Sequence, residues 1–144
     1  MTNHVLSGAV IGAVTRRAAP AFVLGVVSHF ALDAAPHWGF PNLMKVAVPD
    51  GLAGLAAIGI MTALAPPEAR AAVLAGMAGA ALPDLDKPSV VFFGRSPFPK
   101  VVDRIHKVVQ DEAPHRFKYE VAVAVTFAVA AVGLLRAPRR RVSV

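Results

Sequence analysis

Five apolar runs, separated by charged and turn-forming residues, are the feature that most limits how this chain can fold. They make 56% of the 144 residues hydrophobic and leave 17% charged, a composition typical of membrane proteins. The runs are Val5–Val14, Ala18–Ala35, Gly51–Ala65, Ala69–Leu82 and Val121–Leu135. Because a membrane span needs roughly 20 residues, we expect the first and fourth runs to tilt, to pack inside the bundle or to be partly re-entrant. The sequence therefore predicts an all-α fold, a multi-pass membrane helical bundle of about five embedded helices forming a single integral membrane domain over residues 1–144.

Small residues recur at helical spacing in two of the runs. The segments GAVIG, from Gly8 to Gly12, and GMAGA, from Gly76 to Ala80, are typical of membrane helices that approach one another closely. We therefore expect both segments to lie at helix contacts.

The longest connection runs from residue 87 to 118 and is predicted to be a loop that contains an interfacial helix. Within it, the segment PKVVDRIHKVVQDE places five aliphatic residues on one helical face and polar residues on the other. Val101, Val102, Ile105, Val108 and Val109 form the aliphatic face. This pattern predicts an amphipathic helix at the membrane surface, whose polar face is either functional or simply solvated.

Charge and cysteine content restrict the partners. The net charge of +6 favours contact with membrane lipids through anionic head groups or phosphate. The basic residues are scattered between apolar runs and no recognition module is visible, so no nucleic acid is expected. The absence of cysteine excludes thiolate ligands. A homo-oligomer is possible.

Ionisable residues inside an apolar run require an explanation, because burying such groups in a bilayer is costly unless they face partners or water. His29, Asp33 and His37 follow one another at intervals of four, which places them on one helical face unless Pro36 ends the helix before His37. If the five segments alternate in direction, every histidine and aspartate of the chain falls on the same side. The sequence thus predicts one polar cluster at one membrane face.

Histidine and carboxylate side chains without cysteine favour hard or borderline divalent ions, zinc first and manganese, iron or magnesium as alternatives. In ALPDLDKPS, Pro83 ends a helix, and an extended turn is expected to carry Asp84 and Asp86 two residues apart. The candidate metal ligands are His4, His29, Asp33, His37, Asp84, Asp86, His115 and Glu120. Structural readings remain open: the aspartates as turn or cap residues, His29 with Asp33 as a hydrogen-bonded pair, and His4 as an exposed residue.

A bound metal would supply activated water, and cations of the long connection would neutralise a phosphate. The candidate substrate-binding residues are Arg95, Lys100, Arg104 and Arg116, although the same cations could bind lipid head groups without chemistry. His106 and Glu112 are the candidate catalytic acid–base groups, and the sequence does not distinguish between them.

At these motifs the chain resembles the YdjM-like family of bacterial inner-membrane proteins, described as metal-dependent hydrolases. The resemblance rests on Asn3-His4, on the segment LPDLDKPS from Leu82 to Ser89, on His115-Arg116, and on Ser28, His29 and Asp33 in a Ser-His-x-x-x-Asp pattern. The chain departs from the family pattern at Lys87 and Glu120, where the family has histidines, and in the early position of the Ser-His-x-x-x-Asp stretch. The resemblance implies a metal site in the bacterial inner (cytoplasmic) membrane.

The leading functional hypothesis is a divalent-metal-dependent hydrolase that acts on an ester, in particular a phosphoester of a lipid or lipid-linked substrate, at one membrane face. Two alternatives belong to other classes. A scaffold or accessory subunit would need no metal, and a metal or proton transporter would need acidic groups reachable from both sides.

Overall fold

The computed structural model describes residues 1–39 and 43–137, and within these ranges it confirms the all-α fold. Seven α-helices follow one another with short connections. They are α1 (Thr2–Thr15), α2 (Ala18–Asp33), α3 (Leu43–Leu64), α4 (Pro67–Ala81), α5 (Asp86–Phe93), α6 (Lys100–Val109) and α7 (Phe117–Arg136). Two short 3-10 turns, Pro83–Leu85 and Pro114–Arg116, precede α5 and α7.

Helices α1, α2 and α4 form the centre of the fold, and α3 and α7 pack against α1. Gly76 of α4 is the point of closest approach: a methyl group added at Gly8 of α1 or at Gly25 of α2 would overlap the Gly76 carbonyl. Val73 and Met77, on the same helix, are fully buried in the core. The small-residue segments therefore lie at helix contacts, as the sequence predicts.

Two helical segments, rather than the expected five, are long and apolar enough to cross a membrane in the described part of the chain. They are Ala47–Leu64 and Pro114–Arg136. α1 and α4 have 14 and 15 residues, which at about 1.5 Å per residue fall short of a hydrocarbon core of about 30 Å. α1 is apolar because four other helices surround it, so its composition reflects the protein core.

The segment after Pro83 is helical, so the predicted extended turn is wrong. A 3-10 turn over Pro83–Leu85 leads directly into α5, which begins at Asp86. Proline is tolerated in the first turn of a helix, because the N–H that it lacks would have no intrahelical acceptor there. Pro83 begins the 3-10 turn and Pro88 lies in the first turn of α5. The long connection thus contains two helices where the sequence predicted one.

Backbone hydrogen bonds fasten the end of α6 to the end of α2. The Asp111 N–H donates to the Asp33 carbonyl at 3.1 Å, the His37 N–H to the Asp111 carbonyl at 3.0 Å and the Ala113 N–H to the His37 carbonyl at 3.0 Å. His37 and Glu112 form an isolated β-bridge. These bonds hold α6, which occurs where the sequence predicts a helix, beside the polar end of α2.

Candidate metal centre

The polar residues of α2 lie on the helical face that points into the bundle. Ala21, Gly25, His29 and Asp33 follow at intervals of four and are the buried residues of this helix. Alanine and glycine let α4 approach, and the same face then carries an imidazole and a carboxylate into the interior. His29 and Asp33 are 0% and 1% exposed, so both need polar partners or a cation.

The His29 ring is held in one tautomer. Its Nδ1 lies 2.8 Å from the carbonyl oxygen of Ala80 in α4. Because a carbonyl oxygen only accepts, Nδ1–H is the donor. A neutral ring then carries its lone pair on Nε2.

The His106 ring is oriented in a similar way from α6. Its Nδ1 donates to Asp86 Oδ2 at 3.0 Å, and its side chain is buried. A carboxylate that accepts from the far nitrogen of a histidine is a common outer partner of metal-binding imidazoles. His106 therefore also presents Nε2 to the interior.

Three donor atoms form a nearly equilateral triangle. His29 Nε2 lies 3.2 Å from His106 Nε2 and 3.2 Å from Asp33 Oδ2, and His106 Nε2 lies 3.1 Å from the same oxygen. A tetrahedral zinc ion with bonds of about 2.0 Å holds its ligands about 3.3 Å apart. The triangle thus has the edge length of one face of a zinc coordination tetrahedron.

The electrostatics of the triangle require a positive centre. If both oriented imidazoles are neutral, their Nε2 lone pairs point toward each other at 3.2 Å, and Asp33 Oδ2 is buried without a hydrogen bond despite its two nitrogen neighbours. Contacts with Asp33 and Asp86, in that order, raise the pKa of His106 to about 9. A proton or a metal ion between these atoms relieves the repulsion, and a metal satisfies all three at once.

His4 enlarges the cluster from α1. Its Nε2 lies 3.3 Å from Asp33 Oδ1, and its ring stacks on the His29 ring with centroids 4.1 Å apart. His4 Nδ1 is buried without a hydrogen-bond partner. His4, His29 and Asp33 bring donor atoms within 4.8 Å of one another, so His4 is a further potential ligand rather than an exposed residue.

Asp84 approaches the cluster from the 3-10 turn. His29, Asp84 and His106 form a second trio with donor atoms within 4.8 Å, and Asp84 Oδ1 lies 3.8 Å from His106 Nε2. The same oxygen accepts from Lys87 Nζ at 2.6 Å. Burial disfavours the charged form of Lys87, but the Asp84 carboxylate outweighs this effect and raises the pKa of the ammonium group.

The net charge of the cluster suits a divalent ion. Asp33, Asp50, Asp84 and Asp86 carry four negative charges, and two ammonium groups, that of Lys87 and that of the Met1 N-terminus, offset two of them. With neutral imidazoles, a divalent cation balances the remaining two. Buried histidine and aspartate side chains thus form a site that could hold a metal ion.

Three of the predicted ligands lie apart from this cluster. His37 follows the end of α2 at Asp33, because Ala35 precedes proline and Pro36 is unfavourable in a helix. Its Nε2 lies 3.5 Å from Glu112 Oε1. His115 is exposed. Glu120 accepts hydrogen bonds from Asn3 Nδ2 at 2.8 Å and from the Trp38 N–H at 3.2 Å.

The predicted substrate-binding cations lie outside the cluster. Arg95, Lys100 and Arg104 are exposed. Arg116 donates to Asp111 Oδ1 at 2.7 Å. Sequence reasoning did not select Lys87, which does reach the cluster. Its position three residues after Asp84 on a helical segment is the signal that could have identified it.

A cavity of about 280 Å³ adjoins the cluster. His4, Asp33, Asp84, Lys87 and Glu112 contribute to its lining. A small molecule in this cavity would therefore meet residues of the proposed centre directly.

No family model, curated protein or solved structure matches this chain. The resemblance to the YdjM-like family therefore stays a prediction.

Proposed function

We propose that this chain is a membrane-embedded hydrolase that uses one divalent metal ion, zinc in the first place, to cleave an ester at one membrane face. The observation that carries the proposal is the triangle of His29 Nε2, His106 Nε2 and Asp33 Oδ2, with edges of 3.1 to 3.2 Å. Catalytic zinc sites use three protein ligands and keep a fourth position for water or substrate. Asp33 also lines the neighbouring cavity, which gives such a position access to a ligand.

The membrane part of the proposal rests on exposed apolar helices. Only 11% of each candidate span is buried inside the protein. Leu52 and Leu55 of α3 are 63% and 61% exposed, and Val129 of α7 is 68% exposed. Water disfavours apolar surface on this scale, whereas lipid chains do not. We infer that α3 and α7 face lipid and that the shorter helices complete the bundle within the membrane.

A divalent ion at the triangle would supply a water molecule whose pKa is lowered to about 7. Asp84 Oδ1, 3.8 Å from His106 Nε2, would be placed to orient that water by accepting a hydrogen bond from it. Although burial opposes ionisation, the charges of the Met1 N-terminal ammonium and of Lys87 hold the pKa of the Asp84 carboxyl well below its usual range, so it stays ionised. In this arrangement His106 acts as a ligand instead of the general base considered from sequence, and Glu112 remains a polar residue of the cavity wall.

Elemental analysis of the purified full chain, prepared in neutral detergent without chelators, tests the metal. We expect one divalent ion per chain, and we expect Asp33→Asn to abolish its retention. Asp103→Asn is the matched control, because Asp103 accepts from Ser96 at 2.7 Å on the outer part of α6. Protein that retains no metal would contradict the proposal and favour a scaffold.

Ester turnover tests the chemistry on the same preparations. A panel of carboxylic and phosphoric esters should be hydrolysed by the metal-loaded chain and by Asp103→Asn, but not by Asp33→Asn. Hydrolysis that Asp33→Asn does not affect would mean that the activity belongs to a contaminant. Full metal content without turnover of any ester would assign the centre a structural role.

A further inference from the structure

The lining of the cavity beside the metal centre contains both polar and apolar side chains. Asp33, Asp84 and Lys87 are polar lining residues that belong to the cluster or contact it. The apolar lining consists mainly of Trp38, Val48, Leu85, Val91 and Phe92. A ligand that fills this cavity therefore needs a polar group and an apolar group joined to each other.

Lys87 is the one lysine or arginine among the described residues that line this cavity. Its ammonium group has three N–H donors, and its contact with Asp84 uses one of them. The side chain is 30% exposed. Lys87 can therefore contact Asp84 and an anionic ligand at the same time.

The other acidic residues of the lining already have partners. Asp50 accepts from the Thr2 hydroxyl at 2.6 Å. Glu120 accepts from Asn3 Nδ2 at 2.8 Å. Glu112 lies 3.5 Å from His37. The Met1 N-terminal ammonium group lies 2.7 Å from Asp50 and offsets one of these charges, whereas hydrogen bonds from neutral groups leave the charge of Glu120 in place. An anionic group of a ligand would therefore depend on the positive charges of Lys87 and of a metal ion at the triangle.

Several apolar residues of the lining are exposed. Phe92 is 77% exposed, and Val91 and Val48 are each 48% exposed. The volume of about 280 Å³ is near the lower limit of ligand pockets, about 300–1,000 Å³. Such a space suits a head group and the first carbons of a chain, with the remainder of the chain leaving past Phe92.

We propose that the cavity binds an anionic amphiphile, with its phosphoester group between the metal triangle and Lys87 and its alkyl chain against Val91 and Phe92. This inference rests on the proposed function for the identity of the reacting group. It moves substrate recognition from Arg95, Lys100, Arg104 and Arg116, the residues expected from sequence, to a residue inside the cavity.

Binding of hydrolysis-resistant phosphonates tests the proposal without turnover. Hexylphosphonate and methylphosphonate are titrated by calorimetry into the metal-loaded full chain in neutral maltoside micelles. We expect hexylphosphonate to bind more tightly, by about fourfold for each methylene that the cavity buries. Equal affinities would indicate a site for free phosphate and would overturn the amphiphile assignment.

Lys87 variants test the anion contact. Lys87→Met should weaken both phosphonates by about tenfold or more, because a charge-assisted hydrogen bond is lost. Lys87→Arg should retain binding. Arg95→Met is the matched control: it removes an exposed cation outside the cavity and reports any partition of hexylphosphonate into the micelle.

Metal content, measured on every variant, separates a lost contact from a lost site. Unchanged affinity in metal-loaded Lys87→Met would overturn the proposal. If Lys87→Met loses its metal, the test passes to Lys87→Arg, which keeps the positive charge. Weaker phosphonate binding by metal-loaded Lys87→Arg would then overturn the proposal. Phosphonate binding without ester turnover would refute the hydrolase function and leave the amphiphile site intact. Ester turnover with phosphonate binding that does not depend on Lys87 would keep the hydrolase function and refute the amphiphile site.

Discussion

His29 and His106 are 77 residues apart in the sequence, yet their Nε2 atoms lie 3.2 Å apart in the interior. Each ring is turned by an acceptor at its other nitrogen, the Ala80 carbonyl for His29 and the Asp86 carboxylate for His106. With both rings neutral, the two acceptors would turn two Nε2 lone pairs toward each other. Either a proton on His106 or a metal ion relieves this repulsion, and a metal ion can bind both nitrogens and Asp33 at once, which is why the pair is the centre of the metal proposal.

His106→Gln should weaken zinc binding by at least the factor of roughly 10–100 that is typical of lost outer partners, because it removes a ligand. The measurement is competition with a chromophoric chelator. His115→Gln makes the same chemical change at an exposed histidine outside the cluster and should bind zinc like the unmodified chain. Equal affinities of the two variants would remove His106 from the centre.

Asp86→Asn should weaken zinc binding by roughly 10–100-fold without removing a ligand. The amide oxygen can still accept from His106 Nδ1, but it no longer carries the charge that makes the imidazole a stronger donor to the metal. Asp103→Asn in the same competition assay is the control. Loss of all binding in Asp86→Asn would instead make Asp86 a direct ligand, as the sequence suggested.

Zinc affinity should increase with pH. The pKa of His106 is raised to about 9 by its contacts with Asp33 and Asp86, so the metal must displace a proton at neutral pH. Apparent affinity is expected to rise by up to about tenfold per pH unit until about pH 9. By linkage, the raised pKa stabilises the metal-free fold below about pH 6.5, and this contribution is lost as the pH rises through about 9.

Calorimetry in two buffers of different ionisation enthalpy measures the proton that zinc binding releases. Asp86→Asn should flatten the pH profile, since it removes one of the groups that raise the pKa of His106. A pH-independent affinity in the unmodified chain would show that no proton occupies His106 before the metal binds.

The sequence predicted elements more reliably than the direction in which they face. The pattern of α6 correctly separates an aliphatic face from a polar one, and Val101 and Val108 are exposed while His106 is buried. A solvated polar face would have placed His106 outside. The cluster reverses this expectation, because the burial of His106 depends on Asp33 and Asp86, which lie far from it in the sequence.

The number of membrane-embedded helices could not be predicted from the sequence for a similar reason. α1 and α7 are both apolar, but α1 contacts four other helices while most of α7 is exposed. Hydrophobicity records that a residue avoids water, without recording whether protein or lipid replaces the water. Pro36, in contrast, acts locally, and its predicted effect on the end of α2 is confirmed.

Gly76→Ala should destabilise the bundle. The added methyl group would overlap the Gly8 carbonyl, so the backbones of α1 and α4 must separate, at a cost of about 1–3 kcal/mol. Gly133→Ala is the control in α7, where a methyl group meets no atom within 4 Å and should be neutral or slightly stabilising. Thermal unfolding in detergent compares the two variants. Equal melting temperatures would contradict the close packing of α1 and α4.

The exposed face of α7 should be inaccessible from water in a bilayer. The chain has no cysteine, so a single introduced thiol reports one position without background. In sealed vesicles, Val129→Cys should not react with a charged maleimide until detergent is added, because Val129 is 68% exposed on a candidate span and would contact lipid chains.

His115→Cys, placed before α7 in the 3-10 turn, is the matched control for that experiment. It should react when the maleimide is present on its own side of the vesicle, and comparing an impermeant with a permeant reagent identifies that side. Because Glu112 lies only three residues earlier in the chain and lines the cavity, the same result fixes the membrane face on which the metal centre opens. Rapid labelling of Val129→Cys in intact vesicles would mean that α7 does not cross the bilayer, and the membrane part of the proposal would then be lost.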